Sequence, residues 1–530
     1  MRWTTIKAVA GTAAALLTIA AAPVITDAVS SGGAAAGVDP HVASTNLEWV
    51  TQLRYPELIG DPNNIDEQGG TDLELATLTV LDDQGVRVER DYAFAGTYVN
   101  GLQVVDVTDP ASPELVSTYG CNVRQGDIQV MTRPDLTDVA TGLPRTFVTY
   151  AIDNSAGSGT SSPCFKDLAA NNPQANLKAL GNGGGGSLIF EVTDPSAPET
   201  VGFIPAEGGS HNGTLRGFDT DEDGVADDWL FYNSESDAGG NLQVWDVTDP
   251  TATELVTQLT LQESATDTHD VTFNADGTRA YVASIALSYI LDTSDPRDPR
   301  LVSRIVDPAN SIHHQADPIT LDTELGERTY VIIGDEVAGA AGNGYCPGGG
   351  LHVWDVTDEA TPVKVGAYFM PDVTVQEGAN TGAGGLVTCT AHVFRVYAEQ
   401  QLMTIGNMAG GVRIIDLSTL IGLSAGDENM STGDVAGMRD LGWWRFTGGD
   451  ETGSDSWAFK AHPDRFEVDE DGNVSFYGFS NDQTRGFEVY RFDGTQPLAE
   501  AESSDAERGG WASVAESLER SVSTVPAHHD

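Results

Sequence analysis

The side chains of this chain that could do chemistry are its acids and its histidines. Asp219-Thr-Asp221-Glu-Asp223-Gly224-Val225-Ala-Asp227 follows the pattern D-x-D-x-D-G-x-x-D. Carboxylates at alternate positions converge on one point, the glycine permits a sharp turn, the Val225 carbonyl adds a neutral oxygen and Asp227 completes an oxygen cage suited to hard Ca²⁺. No glutamate stands at the twelfth position, so the loop reads as a structural calcium site rather than a sensor. An ordinary acidic turn is the bland alternative, but five acids in nine residues repel one another unless a cation sits among them. Glu467, Asp469, Asp471 and Gly472 form a degraded copy that reads as a turn.

The histidines form the second group. His211, His269, His313 or His314, His392 and His462 each fall at or near the start of a strand-like run, and Asp72 and Asp127 hold that place in the first two such runs. If those runs line a common channel, imidazoles distant in sequence meet at one mouth, and imidazole with carboxylate neighbours suits Fe, Cu or Zn. Glu235, Asp335 and Glu336 are candidate partners or bases there. Taken singly, each histidine is better read as satisfying its own turn.

What would position these groups is a repeat. GLQVVDVTDPASPELVSTY from Gly101 returns as GSLIFEVTDPSAPETVGFI from Gly186, NLQVWDVTDPTATELVTQL from Asn241, LSYILDTSDPRDPRLVSRI from Leu287 and GLHVWDVTDEATPVKVGAYF from Gly350, with a decayed copy at Gly411. Each copy is an apolar strand, a turn and a second strand. Leu102, Val104, Val105 and Val107 give the first strand apolar residues on both faces, as expected where it is covered on two sides. Asp109 can bond to its own backbone and Pro110 cannot donate to a ladder, so the acids of Val-Thr-Asp-Pro are turn chemistry. Two further strand candidates precede each copy, as in HDVTF and RAYVA, giving four antiparallel strands per unit.

Seven such units, starting near Thr71, Asp127, His211, His269, His314, His392 and His462, predict an all-β, seven-bladed β-propeller over residues 46–495. The seventh lacks a fourth strand after Asp493, and the orphan strand LEWVTQL at Leu47 to Leu53 is expected to supply it and close the ring. A six-bladed ring with a free N-terminal strand is the alternative. The copies resemble the LVIVD repeat of secreted bacterial and archaeal β-propellers, which implies architecture and location but little about activity. The Asp219 loop is similar to the calcium hairpins of integrin α-subunit propellers. The histidine arrangement is similar in outline to carotenoid oxygenases and selenium-binding-type thiol oxidases, although none of their other motifs is present.

Residues 1–30 read as a secretory signal peptide: Arg2 and Lys7 precede a small and apolar run from Ala8 to Val24. A flexible lead-in is expected over 31–45. Four cysteines fit export, and Cys121 with Cys164 and Cys346 with Cys389 share one separation, which makes these two disulfides our choice among three connectivities. A net charge of -52 excludes nucleic acid and anionic membrane as partners held by charge attraction, and no later stretch is long and apolar enough for membrane insertion. The acidic Ala/Ser-rich tail 496–530 reads either as a peripheral helix or as disordered. Two functions fit: a monomeric, secreted or cell-surface scaffold binding an extracellular protein or glycan, with structural Ca²⁺, and a metal-dependent oxidoreductase with a histidine-lined site at the channel mouth.

Overall fold

Val104 and Val105 are both fully buried, and they point into different cores. Val104 packs with Val148, Tyr150 and Phe190, whereas Val105 packs with Phe479, Phe487 and Val489. Successive residues of a strand face opposite sides of its sheet, so a sheet buried on both faces needs a continuous apolar run, and the repeat supplies one. Each such side chain contributes about 1.5–3 kcal/mol.

In the computed structural model this packing closes a ring. The structure describes residues 39–496 apart from 40, 57–67, 99, 122, 124–125, 153–161, 176–184, 207–208, 222, 235–240, 262–267, 324–325, 337–348, 371–389, 419, 421–437 and 448–452. The segment read as signal peptide and all of the C-terminal tail beyond Gln496 lie outside the described residues, as do Glu235, Cys346 and Cys389.

Seven antiparallel sheets follow one another along the chain. Blade one comprises Gly70–Leu81, Arg87–Thr97, Leu102–Asp106 and Glu114–Tyr119; blades two to six follow the same order. The innermost strands touch in cyclic order, and Ser456–Ala461 of blade seven returns to Gly70–Leu81 of blade one. The repeat forms the third and fourth strands of a blade, and a register shift recurs at the same place in each pair, between Val104 and Val105 in blade one and between Val244 and Trp245 in blade three. The turn acids act locally. The Thr108 amide donates to Asp106 Oδ1 at 2.9 Å and the Ala111 amide to Asp109 Oδ1 at 3.1 Å.

Leu47–Leu53 pairs with Gly486–Asp493 as the fourth strand of blade seven, carrying the same shift between Trp49 and Thr51. The ring therefore has seven blades and is latched by the N-terminal part of the chain. One pairing departs from the expected lead-in over 31–45: His41–Ala43 adds a fifth strand to blade six against Trp444–Phe446, with His41 stacked on Trp444 at 4.3 Å. The N-terminal segment thus clasps two successive blades.

The described residues include one helix, Pro163–Asn171, which packs against Glu199–Ile204 of blade two. The expected Cys121–Cys164 disulfide fixes it to the end of blade one, and Tyr119 donates to Asp167 Oδ2 at 2.6 Å beside it. Closing a connection of 43 residues stabilises the fold by roughly 3–4 kcal/mol.

Candidate metal centre

Four of the singled-out histidines meet on the axis. His211 and His269 precede the innermost strands Gly213–Phe218 and Asp270–Phe273, His314 lies in His313–Thr323, and His392 precedes Phe394–Tyr397. Their rings form one stack: centroids are 4.3 Å apart for His211 and His269, 4.4 Å for His269 and His314, and 4.3 Å for His314 and His392. The planes turn by 55°, 48° and 51° at these steps. A seven-fold ring turns by roughly 51° from blade to blade, so the imidazoles are equivalent side chains carried round by the fold itself.

Tautomers follow from hydrogen bonds. His269 Nδ1 lies 2.8 Å from the His314 carbonyl and His392 Nδ1 lies 3.0 Å from the Trp457 carbonyl. A carbonyl only accepts, so each Nδ1 carries the proton, and in the neutral ring Nε2 is left as a lone pair. Burial, followed by repulsion from His211 and His314, holds His269 well below the usual histidine range. Burial also lowers His314, and it pushes His392 down to about 3 in spite of the Trp457 carbonyl.

Glu336, just beyond the second strand of blade five, supplies the carboxylate. Its Oε2 is 3.8 Å from His314 Nε2 and its Oε1 is 3.9 Å from His392 Nε2. Ligand atoms of His269, His314 and Glu336 all lie within 4.8 Å of one another. Bonds of about 2.0–2.2 Å to a shared ion place opposed ligand atoms roughly 4 Å apart, so small side-chain movements suffice. Burial raises Glu336 above its usual range. Asp335 is used otherwise: its Oδ1 accepts from the Ser311 amide, the Ser311 hydroxyl and the Ile312 amide.

Two expected members are not in the stack. His313 points away from it, its Nδ1 2.8 Å from Ser288 Oγ, because adjacent residues of a strand face opposite sides. His462 follows the C-terminal end of Ser456–Ala461, 3.7 Å from Asp91, so it belongs to the opposite rim. The blade-seven equivalent of the histidines is Trp457, whose ring lies 4.1 Å from His392 and turns by 55° from it, with Tyr98 edge-on at 5.4 Å. Placing the blade start at His462 hid Trp457, and a start at Ser456 in SWAFKAH would have revealed it.

Beside the stack an axial chamber of about 200 Å³ is lined by Asp72, Glu74, Asp127, Asp270, Asp317 and His314, among others. Lys460 Nζ reaches Asp72 at 2.7 Å and Glu74 at 2.9 Å, and Arg395 also pairs with Glu74. Burial would raise Glu74, but Arg395 and Lys460 together hold it down. Asp127 is raised well above the carboxylate range by burial and then by Asp72 and Asp270.

The outer acidic loop is built differently. Ligand oxygens of Asp219, Asp221 and Asp223 lie within 4.8 Å of one another, all exposed. Asp219 accepts from the Asp223 and Gly224 amides, Asp223 from the Val225 amide, and both oxygens of Asp227 accept from Thr220. The loop gathers three of its expected ligands, while Asp227 is engaged in holding the turn. The degraded copy in blade seven is a turn, with Asp469 accepting from the Asp471 and Asn473 amides, beside a groove of about 490 Å³ that includes no histidine.

Fold and repeat define a seven-bladed β-propeller with an imidazole stack on its axis. The LVIVD repeat family model matches residues 82–120, within the first blade, so the chain is a seven-bladed propeller that carries at least one match to that repeat. Among solved structures it is similar to the periplasmic gluconolactonase PpgL of Pseudomonas aeruginosa, with 12% identity over 81% of this chain and 100% of that one and a TM-score of 0.43. It is also similar to a protein from Lactobacillus plantarum, with 10% identity, coverage of 81% and 96% and a TM-score of 0.44. A third is a functionally unknown protein from Desulfotomaculum acetoxidans, with 10% identity, coverage of 70% and 88% and a TM-score of 0.39. Comparison with curated proteins gives no match. No helix among the described residues is long and apolar enough to cross a membrane.

Proposed function

We propose that this propeller is a metal-dependent oxidoreductase in which His211, His269, His314, His392 and Glu336 hold one transition-metal ion, Fe, Cu or Zn, at the channel mouth, with Fe or Cu as the redox-competent forms. The observation that carries this reading is the pair of carbonyl-anchored imidazoles, His269 and His392, whose Nδ1 protons are engaged and whose Nε2 atoms keep lone pairs. This is the outer-shell arrangement that orients metal-ligating histidine. A bound ion supplies Lewis acidity and, for Fe or Cu, one-electron chemistry. The protein's part is to keep the nitrogens unprotonated by burial and to place a carboxyl, Glu336, where it can hold or release a proton. Trp457 adds an oxidisable ring in contact with the ligand set through His392, and Tyr98 packs edge-on against Trp457.

The Asp219, Asp221 and Asp223 cluster supports a structural Ca²⁺ role for the outer loop. A secreted or cell-surface location fits the Cys121–Cys164 disulfide, since such bonds persist in oxidising compartments. The second functional reading, a rigid scaffold presenting loops to an extracellular protein or glycan, is favoured by the N-terminal double clasp, which stiffens the ring.

Elemental analysis of the purified full chain separates the two readings. One Fe or Cu per chain, lost in His269→Ala and responding spectroscopically to a reductant, supports the oxidoreductase. Identical metal-free composition of wild type and variant leaves the scaffold, and stoichiometric zinc replaces redox chemistry with Lewis-acid chemistry.

A further inference from the structure

The charges around the axial chamber do not balance. Five carboxylates line it, against the cationic groups of Lys460, Arg395 and Arg216, which leaves a formal surplus of two negative charges. Lys460 and Arg395 are committed to Asp72 and Glu74, and Arg216 gives its terminal nitrogens to the Asn274 and Ala275 carbonyls. Asp127, Asp270 and Asp317 therefore meet no cationic side chain in a salt bridge among the described residues. Each has a neutral donor: the Gly213 amide to Asp127 at 2.9 Å, the Val271 amide to Asp270 at 2.7 Å, and Thr272 and Gln315 to Asp317 at 2.9 and 3.0 Å.

A second observation points to an occupant. His314 lines this chamber and is 3% exposed, and its Nδ1 has no hydrogen-bond partner in the protein. Its neighbours His269 and His392 both anchor Nδ1 on a carbonyl. A buried imidazole nitrogen left without a partner is costly, and an oxygen-bearing guest relieves that cost.

We infer that the chamber binds a hydrated divalent cation of the Mg²⁺ kind, held through its waters by Asp127, Asp270 and Asp317, with one oxygen of the guest accepting from His314 Nδ1. Two positive charges match the surplus. Among the described residues, the groups of three or more ligand atoms within 4.8 Å of one another are the His269 and Asp219 groups, so Asp127, Asp270 and Asp317 do not converge as three ligands of one inner sphere. Mg²⁺ dehydrates reluctantly and keeps several waters, which suits a wide acidic chamber, whereas Ca²⁺ asks for a closer oxygen cage. This site is separate from the outer loop and adjoins the transition-metal ring through His314, whose Nε2 faces Glu336 of the ring while Nδ1 is the atom assigned to the guest.

Calorimetric titration of MgCl₂ into the full chain tests the inference at constant ionic strength, in a background carrying Asp219→Asn, Asp221→Asn and Asp223→Asn so that the outer loop is silent. The expected result is one saturable site. Asp127→Asn weakens it at least tenfold, and Arg216→Gln, which raises the negative surplus, tightens it several-fold. Transition-metal content is followed in the same samples, so failure of the ring proposal shows independently. Absence of a saturable site overturns the inference, as does equal affinity in wild type and both variants. If Asp127→Asn does not fold, the direction of the Arg216→Gln change decides.

Discussion

The outer Asp219 loop and the axial histidine stack are both candidate metal sites, and they are built in opposite ways. In the loop the ligands lie within a few residues of one another, and much of their acceptor capacity is consumed locally: Asp219, Asp223 and Asp227 all accept hydrogen bonds from within the loop. In the stack the ligands come from separate blades. In His269 and His392 the Nδ1 protons, not the lone pairs, are engaged, and burial keeps these two rings neutral. A short motif can satisfy itself without an ion, whereas a long-range assembly leaves donor atoms facing a common point with nothing local to fill them.

The largest expected effect tests the deeper site. His314→Gln should weaken transition-metal binding by about a thousandfold, ~4 kcal/mol, in competition titrations with a chelator, while the outer-loop variants leave it unchanged. Next, Ca²⁺ at a hundredfold excess over its Kd should stabilise the wild type by about 2.7 kcal/mol in urea unfolding. Asp221→Asn should remove that response and leave the ring untouched. Equal Ca²⁺ responses in the two proteins would reduce the loop to a turn.

The third expectation concerns pH. Folded His392 stays neutral down to about 3, whereas in the unfolded chain it takes up a proton near the ordinary histidine value of about 6.5. Between those values the unfolded state binds more protons, so stability present above pH 6.5 is lost as pH falls toward 3. In metal-free protein His392→Gln should flatten that loss by about 3 kcal/mol at pH 4.5, read from urea midpoints. The smallest effect is expected from Trp457→Phe. The carbonyl that anchors His392 is backbone and survives the substitution, so metal affinity should change less than tenfold; a larger loss would make the indole part of the site.

Most of the fold was legible because its causes are local and repeated. The two-sided apolar run at Val104 and Val105, the Asp-Pro turn and the missing last strand announced blades, their number and their closure. The stack was legible only in part. His211, His269, His314 and His392 recur at strand starts, but the blade-seven start was misplaced by reading His462 in place of Trp457, since no local signal marks which end of a strand meets the axis. The fifth strand at His41–Ala43 was missed because three residues carry too short a pattern to read.

The sequence by itself determined a closed ring of seven sheets, because each unit has two apolar faces and cannot bury them alone. It also set the turns and the outer acidic loop, where interacting residues are near neighbours in the chain. Only the tertiary structure decided which imidazole of the His313–His314 pair faces the axis, which carboxylate stands over the ring, and that five acids share a chamber with too few cations. Those relations join different blades, in the extreme case Glu74 and Lys460 at a separation of 386 positions, and nothing in the local sequence encodes the rotation of roughly 51° that brings each blade to its neighbour.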